Sequence, residues 1–167
     1  MLTAMLNGIF RHSKLQLMAA AAILVACATF LAGCAGADMT GSLPHRVAAW
    51  NKGSLFSQAR TTLENDNQRI STLQAGHDNN AIRTACEVLG IDARHANSYL
   101  PTPDQALTNL LHAAYKDEYT ASLDCYKGAS SPPSHKLMTE STKSISSGIQ
   151  LLSRASALDN TITHPTK

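Results

Sequence analysis

The chain carries few charges and few aromatic side chains: 16% of its 167 residues are Asp, Glu, Lys or Arg, 5% are aromatic, and Trp50 is the only tryptophan. It contains no run of basic residues, and so no electrostatic footprint for nucleic acid. No His-Glu-x-x-His, Gly-x-Ser-x-Gly, P-loop or Gly-rich dinucleotide loop occurs, nor a Ser-x-x-Lys with its partner motifs. The common zinc-protease, serine-hydrolase and nucleotide-binding chemistries therefore lack their residues. No Cys-x-x-Cys offers metal-type spacing. No Asn-Gly turn sits between alternating β-branched residues, which argues against a strand hairpin. Internal repeats are absent as well.

What is present begins with a leader. Residues 1–14 carry Arg11 and Lys14 and no acidic residue, and an apolar run from Leu15 to Phe30 is interrupted by Gln16 and, near its end, Thr29. A basic segment, an apolar core and small residues before a processing site have the form of a secretory signal. The apolar stretch is barely long enough to cross a bilayer, which takes about 20 residues, and no cluster of Lys and Arg follows it. An uncleaved anchor is the competing reading.

The run closes on Leu31-Ala32-Gly33-Cys34. This tetrapeptide resembles the lipobox of bacterial lipoproteins, in which the cysteine thiol receives a diacylglycerol and becomes the new N-terminus. The resemblance implies residues 1–33 as signal peptide, lipidation of Cys34 and an acyl-chain (palmitate-type) anchor. It places the mature chain on the outer face of the cell membrane. A diacylglycerol supplies the two chains that stable anchoring generally needs, at about 0.8 kcal/mol per buried CH₂. The alternative is an ordinary cleaved signal whose downstream cysteine pairs elsewhere.

Beyond the leader, twelve Lys and Arg balance twelve Asp and Glu, so the formal charge of +2 belongs to Arg11 and Lys14. Membrane attachment must then come from the lipid. Cys86 and Cys125 remain as an even pair in an exported chain, where disulfides persist. Joining them sets a length condition on the intervening turn. At 1.5 Å per residue, the arm from Thr102 or Pro103 to Cys125 spans about 33 Å and that from Cys86 to Asn97 about 16 Å. Five extended residues, Ser98 to Thr102, would make up about 16 Å. The helix carrying Cys86 must then end near Asn97.

Residues 34–50 read as a flexible tether, rich in small residues with Gly36, Gly41 and Pro44. Residues 51–159 read as the folded domain, with Trp50 packed at its edge and residues 160–167 as a disordered tail. Helical periodicity predicts four amphipathic helices. The first covers about Ser54 to Leu73 (Phe56, Ala59, Leu63, Ile70, Leu73), allows a polar position at Asp66, and ends at Gly76. The second starts near Asp78 or Asn79 and buries Ile82, Cys86, Leu89, Ala93 and Ala96, with Gly90 weakening it. The third opens with Thr102 as N-cap, Pro103 at the first position and Gln105 closing a capping box. It carries Leu107, Leu111, Ala114, Ala121 and Cys125, and Gly128 stops it. The fourth covers about His135 to Leu158 with Met138, Ile145, Ile149, Leu152 and Ala155, and its Ser- and Thr-rich first half is a poor helix former. Short turns between four such helices predict an all-α fold, an antiparallel four-helix bundle.

Arg83-Thr84-Ala85-Cys86, Pro101-Thr102-Pro103-Asp104, Tyr119 and Cys125 together resemble a group of actinobacterial, mycobacterial-type exported helical proteins and lipoproteins. The group shares an Arg-x-x-Cys helix, a Pro-x-Pro-Asp turn and a second cysteine. The resemblance covers roughly residues 80–155 and implies a helical fold in the envelope, with no activity attached.

Candidate chemistry is sparse. His45, His77, His95, His112, His135 and His164 are scattered, with no pair at i, i+4, and read as surface residues; an approach of His95 to His112 near the turn between the second and third helices is the one juxtaposition the order of helices allows for. Asp117 and Glu118 are neighbours diverging by about 100°, which reads as a solvated face. Tyr115, Tyr119 and Tyr126, flanked by His112, share a stripe beside the Leu111–Cys125 seam. Core packing is the plain reading of that stripe, and a ligand or partner surface is the functional one. The favoured function is a non-catalytic binding or scaffold module without cofactor, with an envelope protein, glycan or lipid as partner. The alternative is a small envelope enzyme or a haem- or metal-assisted redox protein using His112, His95 or the tyrosines.

Overall fold

A computed structural model describes residues 40–165, so the leader, the lipobox and Cys34 lie outside the described residues. The fold is all-α. Among the described residues five helices form a helical bundle: α1 Leu43–Ser54, α2 Phe56–Gly76, α3 Asn79–Asn97, α4 Gln105–Gly128 and α5 His135–Thr163. Helix α4 packs on both α3 and α5, and α2 packs on α3.

The periodic seams become the core. All five expected seam residues of α3 and all five of α4 are buried. Leu63, Ile70, Leu89, Leu107, Leu111 and Leu152 are the largest fully buried aliphatic side chains. Burying each contributes about 1.5–3 kcal/mol. On α5, Leu152 and Ala155 are buried while Met138 and Ile145 are half-buried and Ile149 is exposed. Gly90 allows α3 to approach α4 closely, since a Cβ there would lie 2.6 Å from Ser122 Oγ.

Helix α1 corrects the reading of residues 34–50 as tether from Leu43 onward. Pro44 opens it, and Val47 and Trp50 face the core. The Trp50 indole N–H donates to the Tyr99 carbonyl at 3.0 Å, and its ring lies 6.0 Å from that of Phe56. Asn51 Nδ2 donates to Asp159 Oδ1 at 2.7 Å, tying α1 to α5. The expected continuous helix from Ser54 to Leu73 breaks instead at Leu55, whose left-handed backbone (φ 53°) folds α1 away from α2. At the other end α5 runs past Leu158 to Thr163, so residues 160–163 belong to the helix and not to a disordered tail. Asp159 and half-buried Leu158 and Ile162 hold that extension against the core.

The helix ends also differ in detail. Asp78 caps α3 as expected, accepting from the Ala81 N–H at 3.1 Å. Helix α2 does end at Gly76, but His77 takes the left-handed position after it. Helix α4 starts at Gln105, and its cap is Asp104, which accepts from the Leu107 N–H at 2.7 Å. Thr102 cannot serve as that cap because its hydroxyl is engaged with the Asp104 backbone and the Thr108 hydroxyl.

Cys86 and Cys125 form a disulfide with Cα atoms 5.9 Å apart, within the usual range. Helix α3 ends at Asn97, the end point the bridge requires. The five extended residues do not occur. Ser98, Tyr99 and Leu100 donate their N–H groups back to carbonyls of the last turn of α3, satisfying acceptors that a helix end leaves open. The later start of α4 compensates. Its arm from Gln105 to Cys125 is about 30 Å, and the connection 98–104 takes up the difference of about 14 Å.

Candidate functional site

The tyrosine stripe divides between core and surface. Tyr115 is 3% exposed, and burial pushes its phenol well above the ordinary range, so it is a protonated core residue. Tyr119 and Tyr126 remain half-buried on the face shared by α3 and α4. Arg83 reaches across from α3 to Tyr126: Nη2 donates to the phenol oxygen at 2.6 Å, and the guanidinium carbon lies 4.6 Å from the ring centre. Arg94 lies over the Tyr119 ring at 5.6 Å.

Two hollows flank Tyr119. One of about 400 Å³ runs past Cys86, Ile91, Leu123 and Tyr126, with Gly90 in its lining. The other, about 190 Å³, meets His112, Asn97 and Lys116. Ile91 (56% exposed) and Leu123 (41%) are large apolar side chains left open beside the first hollow. An exposed strip carrying Tyr, Arg, Ile and Leu has the composition of a protein contact surface, where Tyr and Arg are enriched.

The histidines do not converge. His112 Nδ1 pairs with Asn97 Oδ1 at 3.0 Å, whereas His95 Nε2 pairs with the Tyr99 hydroxyl at 3.2 Å. The two line different hollows. Among the described residues no group of three His, Cys, Asp or Glu could hold a metal ion.

Glu118 overturns its reading as part of a solvated face. It is fully buried on α4, and both carboxyl oxygens accept from Asn67 Nδ2 on α2 at 3.1 Å. Burial raises its pKa from 4.5 to about 7; the Asn67 hydrogen bond opposes this, and the charges of Asp117 and Asp66 add to it. Gly148 on α5 makes room for the carboxyl. Nearby in the same interior, fully buried Ser141 donates to the Ala121 carbonyl at 2.9 Å. The signal for this polar layer was a gap in the seam. Leu111, Ala114, Ala121 and Cys125 leave position 118 as the missing step of four, and Asn67 lies four residues after Leu63.

The class defined by these features is an all-helical bundle with an internal disulfide, a polar interior layer and one aromatic, cation-flanked face. No protein-family model, curated protein or solved structure matches the chain. Among the described residues no helix is long and apolar enough to cross a membrane.

Proposed function

We propose that the chain is a lipid-anchored lipoprotein of the bacterial cell envelope, acting as a non-catalytic binding or scaffold module. In this reading cleavage before Cys34 leaves a diacylglycerol on its thiol and the protein on the outer face of the cell membrane. Residues 34–42 then lie between the lipid and α1. The domain is an antiparallel four-helix bundle of α2 to α5 with α1 folded against it. The brief connections between consecutive helices support that topology, as do the α2–α4 bond of Asn67 to Glu118 and the α2–α5 bond of Arg60 to Ser156.

The observation that carries the reading is the buried Cys86–Cys125 bridge in a chain whose apolar leader ends on Leu-Ala-Gly-Cys. Disulfides persist in oxidising compartments outside the cytosol, which agrees with export. For the binding role, the support is the α3/α4 face. Tyr119, Tyr126, Ile91 and Leu123 supply aromatic and apolar contact, and Arg83 and Arg94 supply cations held against the rings. A protein partner suits that mixture best.

The anchoring half of the reading is tested by metabolic labelling with a fatty-acid analogue. The wild-type chain takes up label and fractionates with membranes; Cys34→Ala takes up none and appears as unprocessed precursor or soluble protein. Label retained on the Cys34→Ala chain would sink the lipoprotein assignment.

A further inference from the structure

Arg94 and Tyr119 line both hollows of the α3/α4 face, so the pair marks the boundary between them. The two sides differ in chemistry. The larger hollow, about 400 Å³, is bordered by the open apolar side chains of Ile91 and Leu123. The smaller, about 190 Å³, is bordered by Arg94, Lys116 and His112 and by no carboxylate.

Arg94 is held in place while most of its donors stay open. Its Nε–H donates to the Gly90 carbonyl at 3.3 Å, and its guanidinium carbon lies 5.6 Å from the centre of the Tyr119 ring. A guanidinium carries five N–H donors in a rigid fork. Those on Nη1 and Nη2 meet no acceptor among the described residues. Neither Arg94 nor Lys116 is engaged in an ion pair among the described residues. The one carboxylate in either lining belongs to Glu87. It lies seven residues before Arg94, about 10 Å away along α3.

We propose that this boundary recognises a carboxylate placed directly beside a large apolar side chain on a protein partner. The carboxylate pairs with Arg94 and Lys116, and the apolar group covers Ile91 and Leu123. The inference rests on the proposed contact surface and names the chemistry that surface selects. A planar carboxylate matches the open fork of a guanidinium through two parallel hydrogen bonds, and Lys116 adds a second positive charge to the same hollow. An exposed ion pair is weak by itself. Apolar contact beside it excludes water and strengthens the charged bond, so the two halves of the epitope act together. A polypeptide is favoured over a fatty acid because Tyr and Arg are the residue types enriched where proteins meet.

The test uses the full chain in non-ionic detergent, read by backbone amide chemical shifts, with N-acetyl-leucine as probe. That probe carries the carboxylate and the apolar side chain together. N-acetyl-leucinamide lacks the charge, N-acetylglycine lacks the side chain, and octanoate is a single-chain lipid anion. The expected result is a saturable shift at residues 90–94 and 116–123 with N-acetyl-leucine, weakened by added salt. Each of the other three probes should bind roughly fivefold less tightly or worse. Arg94 is exposed on α3, and Arg94→Gln should weaken binding roughly tenfold; Lys116→Gln should weaken it roughly twofold. A shift that never saturates, equal or tighter binding of any of the other three probes, or undiminished binding by Arg94→Gln would each overturn the proposal. Should Arg94→Gln fail to fold, the comparison of the four probes on the wild-type chain decides alone. The contact surface fails separately: a photo-crosslinker at position 123 whose adduct persists at full strength in the Arg94→Gln chain keeps the surface and overturns carboxylate recognition.

Discussion

Gly148 on α5 stands against the carboxyl of Glu118 on α4: a Cβ at position 148 would lie 2.6 Å from Oε1 and 2.9 Å from the carboxyl carbon. The carboxyl has little freedom to move away, because both of its oxygens are held by Asn67. Gly148→Ala should therefore destabilise the domain by about 1–2 kcal/mol. Overpacking costs about 1–3 kcal/mol, and the better helix propensity of Ala returns up to about 1 kcal/mol. Urea denaturation of the two chains measures the difference, and a more stable Gly148→Ala protein would show that α4 and α5 are not in close contact at this level.

The same carboxyl makes stability depend on pH. Its folded pKa of about 7 lies above the ordinary 4.5, so the folded state holds the proton more tightly than the unfolded state does. Below about pH 4.5 both states are protonated and nothing is lost. As pH rises from there towards 7 the unfolded chain ionises first, and stability falls; above about 7 the loss is complete. Its size is at most about 3 kcal/mol. Glu118→Gln removes this slope and should be the more stable protein at about pH 8, while Asp66, raised to about 6, leaves a smaller decline at lower pH. Thermal unfolding across that range checks both; a wild-type chain that gains stability from pH 5 to 8 would contradict the assignment.

These two residues also show where sequence reading stopped. The apolar members of the α3 and α4 seams were legible because steps of three and four repeat without interruption from Ile82 to Ala96 and, apart from one polar position, from Leu107 to Cys125. That one position is Glu118, and a charged residue there looks like solvent-facing surface unless the seam is extended through it. Helix α1 was hidden for a different reason. Gly36, Gly41 and Pro44 are tether-like in composition, whereas Val47, Trp50 and Ser54 are spaced by three and four, and the partners that fix the helix are distant in sequence: Tyr99 for Trp50, 49 residues on, and Asp159 for Asn51, 108 residues on. Leu55 carries no local sign of the left-handed backbone it adopts at the end of α1. The start of α4 was misplaced because Thr102 and Asp104 are both good caps, and the choice depends on Thr108 occupying the Thr102 hydroxyl.

The bridge between α3 and α4 closes a loop across a sequence separation of 39 residues. In the chain-entropy account a loop of that length is worth about 4 kcal/mol, and native disulfides typically contribute about 2–4 kcal/mol. Cys86→Ser with Cys125→Ser should lower stability by an amount in that range, visible as a reduced urea midpoint, and a reductant should have the same effect on the wild-type chain. Non-reducing peptide mapping of the protein isolated from its native source should recover residues 86 and 125 in one linked fragment. Two free thiols in that material would mean the native protein lacks the bond.

The proposed contact surface on α3 and α4 can be tested in living cells. Leu123 is exposed beside the larger hollow, and Lys143 is exposed on α5, away from it. A photo-crosslinking amino acid placed at 123 should give one discrete adduct of defined mass, whereas the same group at 143 should give none. Replacing Tyr126 with Ala in the 123-labelled chain should abolish that adduct, because the ring forms the wall of the hollow and anchors Arg83. Tyr126→Phe keeps the ring but loses the 2.6 Å hydrogen bond. It should retain most of the adduct if stacking and apolar contact carry the interaction, as aromatic anchors at protein interfaces generally do. Adducts appearing equally from 123 and 143, or from neither, would remove α3 and α4 as the proposed binding face.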